Sequence, residues 1–152
     1  MVDFVTPASI IPVLRGTSKK QVLQELARHA ATVTGLRERA IFDVLLDREK
    51  LGTTGVGRGV AIPHGKLPQL TSVHGFVAKL EKPIDFDAVD DAPVDLIFML
   101  LAPEKAGADH LKALAKVSRL LRDPALCQKL RGCETSDAIF AVIASQLDAS
   151  AA

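Results

Sequence analysis

The chain has 152 residues, of which 48% are hydrophobic and 24% charged, with a formal net charge of +1 and neither tryptophan nor tyrosine. That length supports one domain with a real core, while the near-neutral balance offers no basic field and no Trp or Tyr rings with which to hold nucleic acid. The longest apolar stretch, Val94 to Ala102, is interrupted by Asp95 and is far too short to span a bilayer, and Met1-Val2-Asp3-Phe4 has no charged-then-apolar leader pattern, so membrane insertion is not expected and a cytoplasmic location is.

In chain order, Ile10 to Leu14 is a short apolar segment broken by Pro12, which suits an edge strand or an extended lead-in. Ser18 with Gln21 three residues on forms a capping-box pattern, and Val22, Leu23, Leu26, Ala27 and Ala30 then share one face of a helix that should end near Gly35. Ala40, Ile41, Val44 and Leu45 repeat this spacing between Arg37 and Lys50, with Gly52 as a stop. Val60-Ala61-Ile62 reads as a strand that Pro63 closes to further pairing. Val73 to Leu80 alternates as a strand ended by Lys82-Pro83, and Pro93 to Leu101, with almost no polar face, reads as a buried central strand. Asp109 starts a helix with the stripe Leu111, Leu114, Ala115, Ser118 and Leu121. Asp123-Pro124 caps a short helix that stops at Gly132, and a last helix from Ser136 presents Ile139, Val142, Ile143 and Leu147. The tail from Asp148 to Ala152 is expected to fray, leaving an ordered core of about residues 5–147 in a single domain spanning 1–152. This order predicts an α/β fold, a mixed sheet flanked by helices.

The run Thr53-Thr54-Gly55-Val56-Gly57-Arg58-Gly59-Val60-Ala61-Ile62-Pro63-His64-Gly65-Lys66 is arranged to display one imidazole at a strand end. Gly65 removes a side chain that would crowd an arriving partner, and Lys66 adds a positive charge beside an anion. Imidazole is largely neutral, and so nucleophilic, near physiological pH, and can carry a phosphoryl group as a phosphoramidate. The glycines do not make a dinucleotide fingerprint, because the third glycine is misplaced and the run enters a strand. Nor do they make a Walker A loop, because Gly59 to Lys66 is one residue too long and Leu67 stands where a hydroxyl is needed.

His110 stands in the first turn of a helix, where backbone donors favour an anion. Arg48 and Glu49 close the second helix as solvated charge, with the alternative that Arg48 reaches across to clamp phosphate oxygens. His29 and His74 suit surface or packing roles. No two histidines lie a helical turn apart, so neither a metal nor another cofactor is called for. Cys127 and Cys133 match no metal pattern and are expected as free thiols.

The segments Arg48-Glu49-Lys50-Leu51-Gly52-Thr53-Thr54-Gly55 through Ile62-Pro63-His64-Gly65-Lys66, with His110-Leu111 and Ser118-Arg119-Leu120-Leu121-Arg122-Asp123, resemble the enzyme IIA components of the fructose-mannitol class of the bacterial phosphotransferase system. The resemblance spans nearly the whole chain and is strongest to the stand-alone, nitrogen-regulatory (PtsN) branch. It implies His64 as phosphoryl acceptor, His110 as the second active-site histidine and Arg48 as the arginine beside the phosphate. Thr54, Arg58, Gly65 and Lys66 are supporting candidates, Arg58 and Lys66 by local placement alone.

The implied partners are an HPr-like phosphocarrier, enzyme I upstream of it, and regulated proteins such as potassium transporters, sensor kinases or stringent-response enzymes. With no IIB or IIC segment attached, regulation is expected over sugar transport. The alternatives are a fructose or mannitol IIA subunit that passes phosphate to a IIB protein, and a protein-interaction module that is not phosphorylated.

Overall fold

The computed structural model describes residues 4–105 and 107–151; Met1–Asp3, Ala106 and Ala152, which the leader, loop and tail readings touch, lie outside the described residues. The elements are β1 (Ile10–Leu14), α1 (Lys19–Thr34), α2 (Glu38–Leu51), β2 (Gly55–Gly57), β3 (Val60–Ala61), β4 (His64–Leu67), β5 (His74–Ile84), β6 (Val94–Pro103), α3 (Ala108–Leu120), α4 (Pro124–Gly132) and α5 (Ser136–Ala151). The strands form one mixed sheet in the order β1-β5-β6-β3-β2, with β4 also pairing β6. β6 runs parallel to β3 and β4 and antiparallel to β5, and β1 is the edge strand beside β5.

Apart from Asp95, which pairs with Arg131, β6 is apolar because both faces of the sheet are covered. Ile97, Met99 and Leu101 pack with α1 and α2, through Leu23, Leu26, Ile41 and Leu45. Leu96, Phe98 and Leu100 pack with α3, α4 and α5, through Val117, Leu130, Ile139 and Ile143. The caps follow the sequence closely. Ser18 accepts from the Gln21 amide, Gly35 is left-handed at φ 76°, and Asp123 accepts from the Ala125 amide. The Gln21 side chain completes the first cap one residue early, on the Thr17 amide at 2.8 Å. Among the described residues no helix is long and apolar enough to cross a membrane.

Several boundaries differ from the sequence reading. Pro63 does not close the strand. It interrupts one parallel ladder that resumes with His64 opposite Leu100, at the same offset that pairs Val60 with Leu96, and the Pro63 carbonyl accepts from the Leu100 amide at 2.9 Å. Proline lacks a donor but keeps its acceptor, so a strand followed by a neighbour's amide can pass through it.

The glycine run is a hairpin, β2 to β3, turned by Arg58 and Gly59 at φ 58° and 80°. Two successive left-handed residues match the right-handed twist of the strands. β5 continues past Pro83 to Ile84 through an irregularity in its pairing with β6, and α5 reaches Ala151, into the stretch expected to fray.

The stripe expected on α3 is out of phase at Leu111 and Ala115, which are exposed, and holds at Leu121, which is buried. His110, Ala113 and Val117 are buried, whereas Leu111 is 65% exposed.

Candidate functional site

Beside the C-terminal half of β6 a cavity of about 570 Å³ opens between α2, β4 and α3, lined by Val44, Arg48, Leu51, His64, Gly65, Lys66, His110, Leu111 and Leu114, with Asp47 at its edge. His64 opens β4, and its partner Leu100 belongs to the face covered by α3. His110, in the first turn of α3, faces His64, with ring centroids 5.8 Å apart. Gly65 pairs Leu101, on the α2 face, and a Cβ there would overlap Val44 Cγ1. The glycine therefore admits α2 against β4, and the last turn of α2 carries Arg48 to His64. Gly65 was expected to clear the way for a partner; what it clears is the way for α2.

Both ring nitrogens of His64 are engaged. Nδ1 lies 2.9 Å from the Ile62 carbonyl, and Arg48 Nε lies 3.2 Å from Nε2. A carbonyl only accepts and a guanidinium only donates, so the compatible tautomer carries its proton on Nδ1 and its lone pair on Nε2. Arg48 is fixed in turn by donating from Nη1 to the Gly52 carbonyl at 2.9 Å.

Burial holds the His64 pKa below the ordinary value of 6.5; the Ile62 carbonyl opposes this, Arg48 adds to it and Glu49 opposes it. His110, 5% exposed, is likewise lowered, by burial first and then by the neighbouring His64 and Lys66, and its Nδ1 is buried without a hydrogen-bond partner. The arrangement offers a neutral imidazole with an available lone pair, a guanidinium at that lone pair and a second imidazole across the cavity. Among the described residues no three His, Cys, Asp or Glu side chains come together as metal ligands would.

The remaining candidates divide. Lys66 is exposed at the cavity wall. Thr54 is buried behind the site, its amide donating to Glu49 Oε1 at 3.0 Å and its hydroxyl to Oε2. Arg58 is not brought to the cavity. It forms the turn at the other end of β3, its amide on Asp90 and its carbonyl receiving Arg131 Nη2 at 3.0 Å. His29 lies against Phe76 with Nε2 2.9 Å from the Ala8 carbonyl, a packing role.

Two features went unread in the sequence. Glu49 is buried rather than solvated. A carboxylate in the last turn of a helix opposes the helix dipole, and that misfit was the available signal that it had partners. The second is the apolar rim of the cavity, where Leu51 is 85% and Leu111 65% exposed.

The chain matches the family described as phosphoenolpyruvate-dependent sugar phosphotransferase system, EIIA 2, over residues 3–146. It is 61% identical over 142 residues to a nitrogen regulatory protein of Bradyrhizobium diazoefficiens, covering 93% of each chain. Among solved structures it superposes on the nitrogen regulatory protein IIA-Ntr of Neisseria meningitidis with a TM-score of 0.86 at 32% identity, covering 91% of this chain and 95% of that one. It shares its fold with the mannitol IIA of Escherichia coli, at a TM-score of 0.75 and 18% identity over 90% of this chain and 96% of that one. With the mixed sheet, the cavity and the family match in agreement, the chain belongs to the EIIA type-2 family of the phosphotransferase system, in its nitrogen-regulatory branch.

Proposed function

We propose that this protein is a phosphocarrier of the nitrogen phosphotransferase system, accepting a phosphoryl group on His64 Nε2 from an HPr-like carrier charged through enzyme I from phosphoenolpyruvate. The family is a phosphotransfer component, and the observation that carries the assignment to His64 is its tautomer. With Nδ1 donating to the Ile62 carbonyl, the lone pair is left on Nε2 beside Arg48.

In the transfer, Nε2 attacks phosphorus in line as the donor's P–N bond breaks, and that electron pair returns to the donor imidazole. The ring of His64 gains positive charge, which the Nδ1–H bond to a carbonyl stabilises. Arg48 Nε gives up the lone pair and donates to a phosphoryl oxygen instead, so its charge meets the group being transferred. His110 and Lys66 bound the space the phosphoryl group enters. Thr54 and Gly65 act from behind, through the Thr54 carbonyl on the Ile62 amide and the seat of α2. Arg58 has no part in this step.

The exposed Leu51 and Leu111 beside the cavity are suited to docking the carrier. Phosphorylation adds roughly two negative charges to a near-neutral chain, enough to change which partner face binds without refolding. By resemblance those partners include potassium transporters, sensor kinases and stringent-response enzymes, in the cytoplasm.

The test is intact mass after incubation with phosphoenolpyruvate, enzyme I and the HPr-like carrier. We expect an acid-labile gain of one phosphoryl group in the wild type and none in His64→Ala. Labelling of His64→Ala overturns the acceptor, and no gain in the wild type with active donors turns the reading to a protein-interaction module.

A further inference from the structure

Glu49 is 8% exposed and accepts from three donors: the Thr54 amide at 3.0 Å, the Thr54 hydroxyl and Lys19 Nζ at 2.9 Å. The lysine is itself held over the Phe86 ring, 4.8 Å from its centroid. A buried carboxylate so furnished is held in place, because moving away from these donors would leave its charge under-compensated in a poor solvent for it.

What it fixes leads to His64 by two routes. Along the helix, Glu49 is the residue after Arg48, so anchoring it anchors the last turn that carries the guanidinium to Nε2. Along the sheet, Glu49 holds Thr54, whose carbonyl accepts from the Ile62 amide at 2.9 Å, and the Ile62 carbonyl in turn receives His64 Nδ1 at 2.9 Å. One carboxylate is thereby linked to the group on each nitrogen of the acceptor ring.

We propose that Glu49 is a positioning residue for His64, setting the tautomer and orientation of the acceptor imidazole through Arg48 on one side and through Thr54 and Ile62 on the other. The proposal rests on the reading of His64 as acceptor for its consequence in transfer, but not for its consequence in the resting protein, where the tautomer is itself observable. Glu49→Gln keeps the shape and one acceptor oxygen. It loses the ion pair with Lys19, and one of the two oxygens to which Thr54 donates becomes an NH2, which donates instead of accepting.

The experiment compares Glu49→Gln with wild type in two measurements on the folded protein: the nitrogen-15 shifts of the His64 ring, and the rate of phosphoryl gain from the phosphorylated HPr-like carrier. We expect wild-type His64 to be overwhelmingly the Nδ1–H form, and Glu49→Gln to show a mixed ring. Its phosphorylation should be slower by roughly ten- to a hundredfold, the scale of a small misplacement at a reacting centre. A folded Glu49→Gln with wild-type ring shifts and wild-type rate overturns the proposal, since a merely structural carboxylate would change stability and leave both untouched.

If Glu49→Gln does not fold, Thr54→Val removes only the hydroxyl link, and the same two measurements decide, with a smaller loss of rate expected and unchanged shifts and rate fatal. If the wild type takes up no phosphoryl group, the phosphocarrier reading fails while the ring shifts still decide whether Glu49 sets the tautomer.

Discussion

As the proposed acceptor, His64 needs a lone pair on the nitrogen that faces the cavity, and two neighbours arrange this in different ways. The Ile62 carbonyl chooses which nitrogen keeps the proton, and burial with Arg48 keeps the second proton off. Arg48 is the more exacting residue because it performs two tasks at once, donating from Nε to the ring and from Nη1 to the Gly52 carbonyl. A lysine has one compact ammonium and cannot span both from this position. Arg48→Lys is therefore expected to keep the fold and to lower the rate of phosphoryl gain by about a hundredfold, in the range of a lost charge-stabilising donor. Quench-flow with mass detection measures it, and a rate within a factor of about two of wild type would show that positive charge alone suffices.

At the scale of elements, the contact that assembles the site is α2 on β4. Gly65→Ala places a methyl group onto Val44 Cγ1, and the helix must shift or the valine must leave its rotamer. The expected cost is about 1–3 kcal/mol of stability, with a slower transfer because Arg48 lies one turn after Val44. Val44→Ala in the same chain opens the space and should restore most of both. Denaturant melts and labelling rates on the single and double variants check this, and additive losses would show that the two residues do not meet.

The elements were legible where local chemistry decides them: Ser18, Gly35 and Asp123 punctuate the helices, and the apolar run of β6 announced a strand covered on both faces. They were misread where function or tertiary pairing decides. The α3 stripe was drawn through Leu111 and Leu114 because they are apolar, yet they line the cavity, and the inward position next to them holds His110. Pro63 looked like a stop because its missing donor is visible in sequence, whereas the Leu100 amide that uses its acceptor is remote in the chain. The family resemblance pointed to His64, His110 and Arg48, which the fold brings together. Arg58 looked near in sequence, but β3 separates it from His64, and Glu49 could not be placed without its partners from α1 and the segment after α2.

Across the whole molecule the site draws Arg48 from the helical layer on one face of the sheet and His110 from the layer on the other, so it exists only while both layers are docked. Acid should weaken that docking. His64, His74 and His110 are all held below the ordinary 6.5, each chiefly by burial. The folded chain thus binds fewer protons than the unfolded chain once the pH falls to the neighbourhood of 6.5, and stability declines from there until the depressed folded values are passed. Below them these three groups add no further slope. The melting temperature is accordingly expected to fall between about pH 7.5 and about pH 5.5, a range above that in which ordinary carboxylates titrate. His110→Gln, which removes one of the three titrations, should flatten part of that fall. A melting temperature that rises with acid in this interval would mean that the histidines are held charged in the folded protein, and an imidazolium at His64 has no lone pair with which to accept phosphorus.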